Sequence, residues 1–202
     1  KIYYALWSRM HCFLNLVEIL WISLKNIFIK VENFNSSILI LGMPGVGKTS
    51  VAQGLSNKLK YKFIDLDSFI EKKFKKTISD IFQTDGEDSF RKYEKICMND
   101  LKEEDKIVLA SGGGAINTDT LDVSLSFRYR IWLDATIDVI SERCKEDIKH
   151  RPLLYNTNNI NKSLLNLYQL RKNFYNTCSN IIIDTTNSSI PEIVDELITK
   201  IN

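Results

Sequence analysis

The sequence has few of the residues that build metal centres and disulfide frameworks. Its two histidines, His11 and His150, cannot form a metal site by themselves. Its four cysteines have neither C-x-x-C spacing nor the density of a disulfide scaffold, which suits a reducing compartment. Catalysis must therefore depend on carboxylates and arginines, together with main-chain groups.

The net charge is small, and arginine residues are few. The formal net charge of +2 over 202 residues is too small to indicate a nucleic acid or a membrane surface as the main partner. Arginine is much rarer than lysine, so each arginine raises the question of whether a bidentate hydrogen-bonding fork is needed at its position. A chain of 202 residues, of which 44% are hydrophobic, can form one well-buried core and an extension.

Long uninterrupted apolar runs are absent. Residues 12–24 are mostly apolar, but Glu18 interrupts them and Lys25 follows, which leaves less than the roughly 18 apolar residues of a spanning helix. We therefore expect no membrane span. We interpret residues 1–36 as an extension of unknown role and residues 37–202 as the main domain. The chain begins with Lys1 rather than with methionine, which favours a piece of a longer polypeptide.

The chain is organised around a glycine-rich segment, GMPGVGKT, at residues 42–49. An apolar run precedes it and a helical pattern follows it, which is the context of a phosphate-binding loop rather than of a chance turn. Glycines let main-chain N–H groups approach phosphates, Lys48 supplies a cation for the β- and γ-phosphates, and the Thr49 hydroxyl is placed to bind Mg²⁺. The predicted nucleotide-binding residues are Gly45, Val46, Gly47, Lys48, Thr49 and Ser50.

Short apolar runs alternate with helical patterns along the main domain. The predicted strands are residues 38–41, 62–67, 106–110, 130–133 and 180–183. This alternation predicts an α/β fold with a parallel sheet and helices on both faces. Residues 146–161 are polar, with few apolar anchors, and predict a mobile lid over the site.

Three further patterns contain residue types that bind ligands. Asp65 and Asp67 end the second predicted strand, and carboxyl ends of strands form the ligand edge of an open α/β sheet. Arg91 and Glu94 share one face of a predicted helix, although a surface ion pair is the commoner meaning of that spacing. Residues 112–114 are three glycines after the third strand, which indicates close approach of the main chain to a ligand.

Taken together, these motifs resemble the shikimate kinase family over about residues 37–202. The resemblance is carried by GMPGVGKT (42–49), FIDLD (63–67), ISDIFQTDGEDSFRKYE (78–94), SGGGAI (111–116), IWLDA (131–135), RPLL (151–154) and the Arg171/Tyr175 pair. It implies a P-loop α/β/α fold with strand order 2-3-1-4-5 and transfer of the γ-phosphoryl group of ATP to the 3-hydroxyl of shikimate. It also implies a cytoplasmic or plastid enzyme that is monomeric or part of a multifunctional polypeptide.

The resemblance assigns roles on the acceptor side of the site. Asp67 would accept hydrogen bonds from the acceptor hydroxyls and is the candidate base. Arg91 and Arg171 would bind the shikimate carboxylate, and Glu94 would orient Arg91. The glycine turn formed by Gly112, Gly113 and Gly114 would offer main-chain amides to substrate oxygens.

On the nucleotide side, the resemblance implies that Asp65 joins Thr49 in holding Mg²⁺ and that Arg143 lies against adenine. Arg151 would move onto the transferring phosphate, so that Lys48, Asp67 and Arg151 form the catalytic set. The chain departs from the family where Asn173 replaces a frequent proline and where the predicted lid is rich in asparagine without glycine.

Two other functions remain open at this stage. The first is a kinase of another small hydroxylated acid, such as gluconate, which would not need two carboxylate-binding arginines beside Asp67. The second is a degenerate nucleotide-binding domain that serves as a scaffold. The presence of every residue type that catalysis needs counts against the second.

Overall fold

The computed structural model describes residues 36–145 and 160–201. In this part of the chain, five strands form one parallel sheet in the order β2-β3-β1-β4-β5. The strands are β1 (Ile38–Gly42), β2 (Lys62–Asp65), β3 (Ile107–Ala110), β4 (Tyr129–Asp134) and β5 (Ile181–Asp184). The predicted α/β fold and the predicted strand order are both confirmed.

Helices connect consecutive strands, as parallel pairing requires. They are α1 (Lys48–Leu59), α2 (Leu66–Phe74), α3 (Ile78–Thr84), α4 (Gly86–Leu101), α5 (Leu121–Ser124), α6 (Ile137–Lys145), α7 (Ile160–Cys178) and α8 (Ile190–Ile201). Helix α5 has only four residues and no periodic apolar pattern, so the sequence analysis did not predict it. The layers of helix, sheet and helix place the core on both faces of the sheet.

The central strands are apolar because both of their faces are covered. Every residue of β1 and of β3 is buried. Strand β1 lies between β3 and β4, with Ile40 opposite Ala110 and Gly42 opposite Leu133. On the next pair, Asp65 at the end of β2 lies opposite Ala110 at the end of β3. This register brings the loops that follow β1, β2 and β3 to one edge of the sheet.

Strand β2 is shorter than predicted. It ends at Asp65 rather than at Asp67, because the Asp65 side chain accepts a hydrogen bond from the Ser68 main-chain N–H at 3.1 Å and caps α2. Asp67 therefore lies in the first turn of a helix, not in an extended segment. The two carboxylates still share the ligand edge of the sheet.

Several predictions concern residues that the structure does not describe. Three of them lie outside the described residues: residues 1–35 of the predicted extension (residues 1–36), residues 146–159 of the predicted lid, and Arg151. The division of the chain at residue 36 stays a prediction. Within the two described ranges, no helix is both long enough and apolar enough to cross a membrane.

Candidate active site

The phosphate loop joins β1 to α1 and brings the N-terminus of that helix to the ligand edge. Gly45 has a φ of 79°, and a Cβ atom there would lie 2.5 Å from the Cys144 sulfur, so only glycine fits this point of the loop. Gly47 is the N-cap of α1, with a φ of 98°. The loop thus turns its main chain toward a helix N-terminus, which favours binding of an anion.

Lys48 extends back over the loop that carries it. Its Nζ donates hydrogen bonds to the carbonyl oxygens of Gly42 at 3.0 Å and Met43 at 2.9 Å. These bonds hold the ammonium group at the mouth of the loop. Thr49 and Ser50 follow in the first turn of α1 and are exposed, whereas Val46 is buried beneath the loop.

The two predicted magnesium ligands lie in contact with each other. The Thr49 hydroxyl donates a hydrogen bond to Asp65 Oδ2 at 3.2 Å. Magnesium prefers oxygen ligands and is usually held by one or two protein groups together with substrate phosphates. No cluster of three or more histidine, cysteine, aspartate or glutamate side chains that could hold a metal occurs in the described ranges. The hydroxyl and carboxylate pair fits a magnesium ion shared with nucleotide.

The first glycine of the turn after β3 lies between two carboxylates. A Cβ atom at Gly112 would lie 3.0 Å from Asp67 Oδ1 and 3.1 Å from Glu94 Oε1. Both of these oxygens are shielded from solvent and accept no hydrogen bond from the described part of the protein. The absent side chain therefore leaves two buried acceptor atoms facing one small space.

Burial changes the acidity of both carboxylates. Desolvation, reinforced by the negative charge of Asp65, raises the pKa of Asp67 to about 6, although Lys48 opposes the shift. A carboxylate with this pKa is still ionised at neutral pH and is basic enough to accept a proton in a reaction. Burial also raises the pKa of Glu94 to about 7, against the lowering effect of Arg91.

Arg91 is held by two carboxylates on its own helix. Its Nη1 donates to Glu94 Oε2 at 2.6 Å and its Nη2 donates to Glu87 Oε1 at 2.7 Å. The Glu94 side chain is 1% exposed and the Glu87 side chain is 51% exposed, so Glu94 provides the fixed contact. Glu87 was not among the residues predicted from the sequence, although its position four residues before an arginine on a helix was a usable signal.

The two arginines predicted to bind a carboxylate meet at the last glycine of the turn. A Cβ atom at Gly114 would lie 2.8 Å from Arg91 Nη2 and 2.9 Å from Arg171 Nη2. Arg91 comes from α4 and Arg171 comes from α7, so the contact depends on tertiary structure. The structure brings these arginines together beside the two buried carboxylates.

Arg143 is joined to the phosphate loop through a buried threonine. Its Nη2 donates to the Thr185 carbonyl oxygen at 2.9 Å and its Nη1 donates to Thr185 Oγ1 at 3.3 Å. The Thr185 hydroxyl contacts the Val46 carbonyl oxygen at 3.3 Å, and Thr185 is fully buried. Sequence reasoning missed Thr185, because a single threonine after a strand forms no motif.

Known proteins similar to this chain include shikimate kinases. The family model described as shikimate kinase matches residues 44–202. The shikimate kinase of Staphylococcus haemolyticus is 39% identical over 168 residues, which cover 81% of this chain and 93% of that protein. The structure of the shikimate kinase from Acinetobacter baumannii in complex with shikimate has a TM-score of 0.78 and 29% identity, covering 85% of this chain and 96% of the other.

A gluconokinase from Sinorhizobium meliloti is also similar in structure, with a TM-score of 0.55, 18% identity and coverage of 83% of this chain and 92% of the other. At that identity, the likeness extends to the fold alone. The match to the family model over most of the chain, together with the Staphylococcus haemolyticus relative, establishes that the chain belongs to the shikimate kinase family.

Proposed function

We propose that the protein transfers the γ-phosphoryl group of ATP to the 3-hydroxyl of shikimate, giving shikimate 3-phosphate and ADP. The observation that carries this proposal is the meeting of Arg91 and Arg171 at Gly114. The same glycine turn contacts Asp67 at its first residue and Pro44 of the phosphate loop at its second residue. An acceptor with a ring carboxylate and a nearby hydroxyl matches this arrangement of two cations and one base.

The two arginines supply recognition of the acceptor carboxylate. A guanidinium group forms two parallel hydrogen bonds to a carboxylate, which fixes orientation as well as charge. Glu94 keeps Arg91 in place through a short charge-assisted hydrogen bond of 2.6 Å. Gly114 has no side chain between the two guanidinium groups, so the acceptor carboxylate has room to approach both.

Asp67 supplies the proton acceptor. In the proposed reaction, the oxygen of the 3-hydroxyl attacks the γ-phosphorus and its proton passes to an Asp67 carboxylate oxygen. The bond from the γ-phosphorus to the bridging oxygen breaks, and ADP leaves with that electron pair. Since phosphoryl transfer needs little covalent participation from the protein, most of the catalysis comes from positioning and from stabilisation of negative charge.

Lys48 and the N-terminus of α1 stabilise that negative charge on the nucleotide side. Thr49 and Asp65 would hold Mg²⁺, which supplies neutralisation of the phosphate charges when it is bound. Arg143 fixes the wall of the nucleotide site through Thr185. We assign Arg151 to the transferring phosphate from its sequence motif alone. The monomeric state and the cytoplasmic or plastid compartment likewise stay predictions.

A coupled assay of ADP release tests the proposal. We expect ATP turnover with shikimate, little turnover with gluconate and little turnover without an acceptor. Equal rates with gluconate would assign the site to another hydroxylated acid, and a rate independent of any acceptor would contradict a small-molecule kinase. Absence of turnover with all acceptors would favour a degenerate nucleotide-binding domain.

A further inference from the structure

A buried tyrosine contacts the glycine turn that follows β3. The Tyr175 hydroxyl donates a hydrogen bond to the Gly113 carbonyl oxygen. The Tyr175 side chain is fully buried, and its ring packs against Trp132 with the ring centroids 5.8 Å apart. The hydroxyl is therefore held at one position relative to the turn.

The turn also packs against the phosphate loop. A Cβ atom at Gly113 would lie 2.8 Å from Pro44 Cδ, so the main chain of the turn packs directly on the loop. The Met43 sulfur lies 4.0 Å from the Tyr175 hydroxyl. Gly113 is thus packed between Pro44 and Tyr175, and it connects the nucleotide side of the site to the acceptor side.

The hydrogen bond fixes more than one carbonyl group. The peptide unit is planar, and the described chain contains no cis peptide bonds. In a trans peptide the C=O and N–H bonds point in opposite directions, so an anchored Gly113 carbonyl sets the direction of the Gly114 N–H. That N–H belongs to the residue at which Arg91 and Arg171 meet.

Tyr175 also lies one helical turn after Arg171 on α7, so the two side chains share a face. Burial raises the pKa of Tyr175 to about 12, with Arg171 acting in the opposite direction. The phenol stays protonated at every physiological pH and is always able to donate its hydrogen bond. One helix thereby presents both an arginine and the anchor of the turn beside it.

We propose that Tyr175 is a positioning residue for the acceptor: its hydroxyl anchors the Gly113–Gly114 peptide, so that the Gly114 N–H and the Arg171 guanidinium are held in a fixed relation. This inference rests on the proposed function, because it assumes that the acceptor binds at Gly114. Tyr175 itself need not touch the acceptor.

The Tyr175→Phe variant removes the hydroxyl and keeps the ring. We expect the KM for shikimate to rise about tenfold, because a buried carbonyl loses its partner and the peptide is free to rotate. The KM for ATP should change less than about twofold, since the ring still packs against Trp132 and the phosphate loop loses only the weak contact of the Met43 sulfur with the hydroxyl, at 4.0 Å. Steady-state kinetics with each substrate varied in turn gives both values.

Tyr168→Phe is the matched control. Tyr168 lies on the same helix and donates a hydrogen bond to Asp134 Oδ2 at 3.0 Å, but that bond does not reach the glycine turn. Both variants lose a tyrosine hydroxyl that donates a hydrogen bond from α7, so thermal midpoints measured for both account for effects on stability. Only Tyr175→Phe should raise the KM for shikimate.

The inference is overturned if Tyr175→Phe binds shikimate as the wild type does, if both KM values rise together, or if Tyr168→Phe gives the same increase. Each variant is assayed well below its thermal midpoint, so that unfolding does not contribute to the kinetics. The wild type is measured first. Its failure to release ADP in response to shikimate would overturn the proposed function, which is a different result from an unaltered KM in an active variant.

Discussion

Arg91 and Arg171 approach each other across a residue that has no side chain. Their Nη2 atoms lie 2.8 Å and 2.9 Å from the position of a Cβ atom at Gly114. Two like charges held this close repel each other, and an anion placed between them relieves that repulsion. Glu94 and Glu87 neutralise part of the charge of Arg91. The arrangement is suited to a carboxylate ligand.

Gly114→Ala tests whether this space is used. The added methyl group would displace the ends of two flexible arginine side chains, so the protein should still fold while the arginines move. We expect the KM for shikimate to rise about tenfold, the equivalent of one weakened charged hydrogen bond, with little change in the KM for ATP. An unaltered KM for shikimate would mean that the acceptor carboxylate binds elsewhere.

Asp67→Asn keeps the shape of the side chain and removes its basicity. If Asp67 accepts the proton from the 3-hydroxyl, kcat should fall by about 10²–10⁴. Single-turnover measurements would separate this chemical step from product release. A decrease of only a few-fold would leave Asp67 as a binding residue and require another base.

The pH dependence of kcat/KM in the wild type tests the role of Asp67 independently. Because its pKa is raised to about 6, a growing fraction of the enzyme carries a protonated Asp67 as the pH falls below 6. We expect kcat/KM for shikimate to decrease over that range, and not near the ordinary aspartate pKa of about 4. If kcat/KM for shikimate decreases only near pH 4, this result would contradict the buried environment described for this carboxylate.

Lys48→Ala should abolish phosphoryl transfer and leave the fold intact. The substitution removes the side-chain cation that the loop itself provides for the phosphates, whereas the Gly42 and Met43 carbonyl oxygens that accept hydrogen bonds from Lys48 belong to the main chain and remain in place. Lys58→Ala is the matched control, because Lys58 lies on the same helix and pairs with Asp195 on the surface. Turnover similar to the wild type in Lys48→Ala would contradict the phosphate-loop assignment.

The main features of the fold could be predicted from the sequence because each depends on a local pattern. Apolar runs separated by helical patterns specify the strands, and the glycine-rich segment specifies the phosphate loop. The end of β2 could not be placed correctly. The apolar and acidic pattern continues through Asp67, whereas the strand ends where Asp65 turns to cap the next helix.

Features of the site that depend on tertiary packing were harder to predict from the sequence. The spacing of Arg91 and Glu94 alone favours a weak surface pair, but Glu94 is fully buried and its pKa is raised accordingly. That burial comes from the approach of the glycine turn, which no local pattern encodes. Thr185 was missed for the same reason, since its importance lies in partners that come from folding. Glu87, in contrast, lies four residues before Arg91 on the same helix, and this local spacing did carry a signal.

The most direct test of the central claim is a double-mutant cycle on the two arginines with shikimate as the varied substrate. Arg91→Lys and Arg171→Lys each keep the charge and lose the fork, so each should raise the KM for shikimate and reduce kcat/KM by about 1.5–3 kcal/mol. Because both arginines bind one carboxylate, the double variant should lose less than the sum of the two single losses, with the KM for ATP almost unaltered. Additive losses, or a KM for ATP that rises with the KM for shikimate, would contradict a shared carboxylate site.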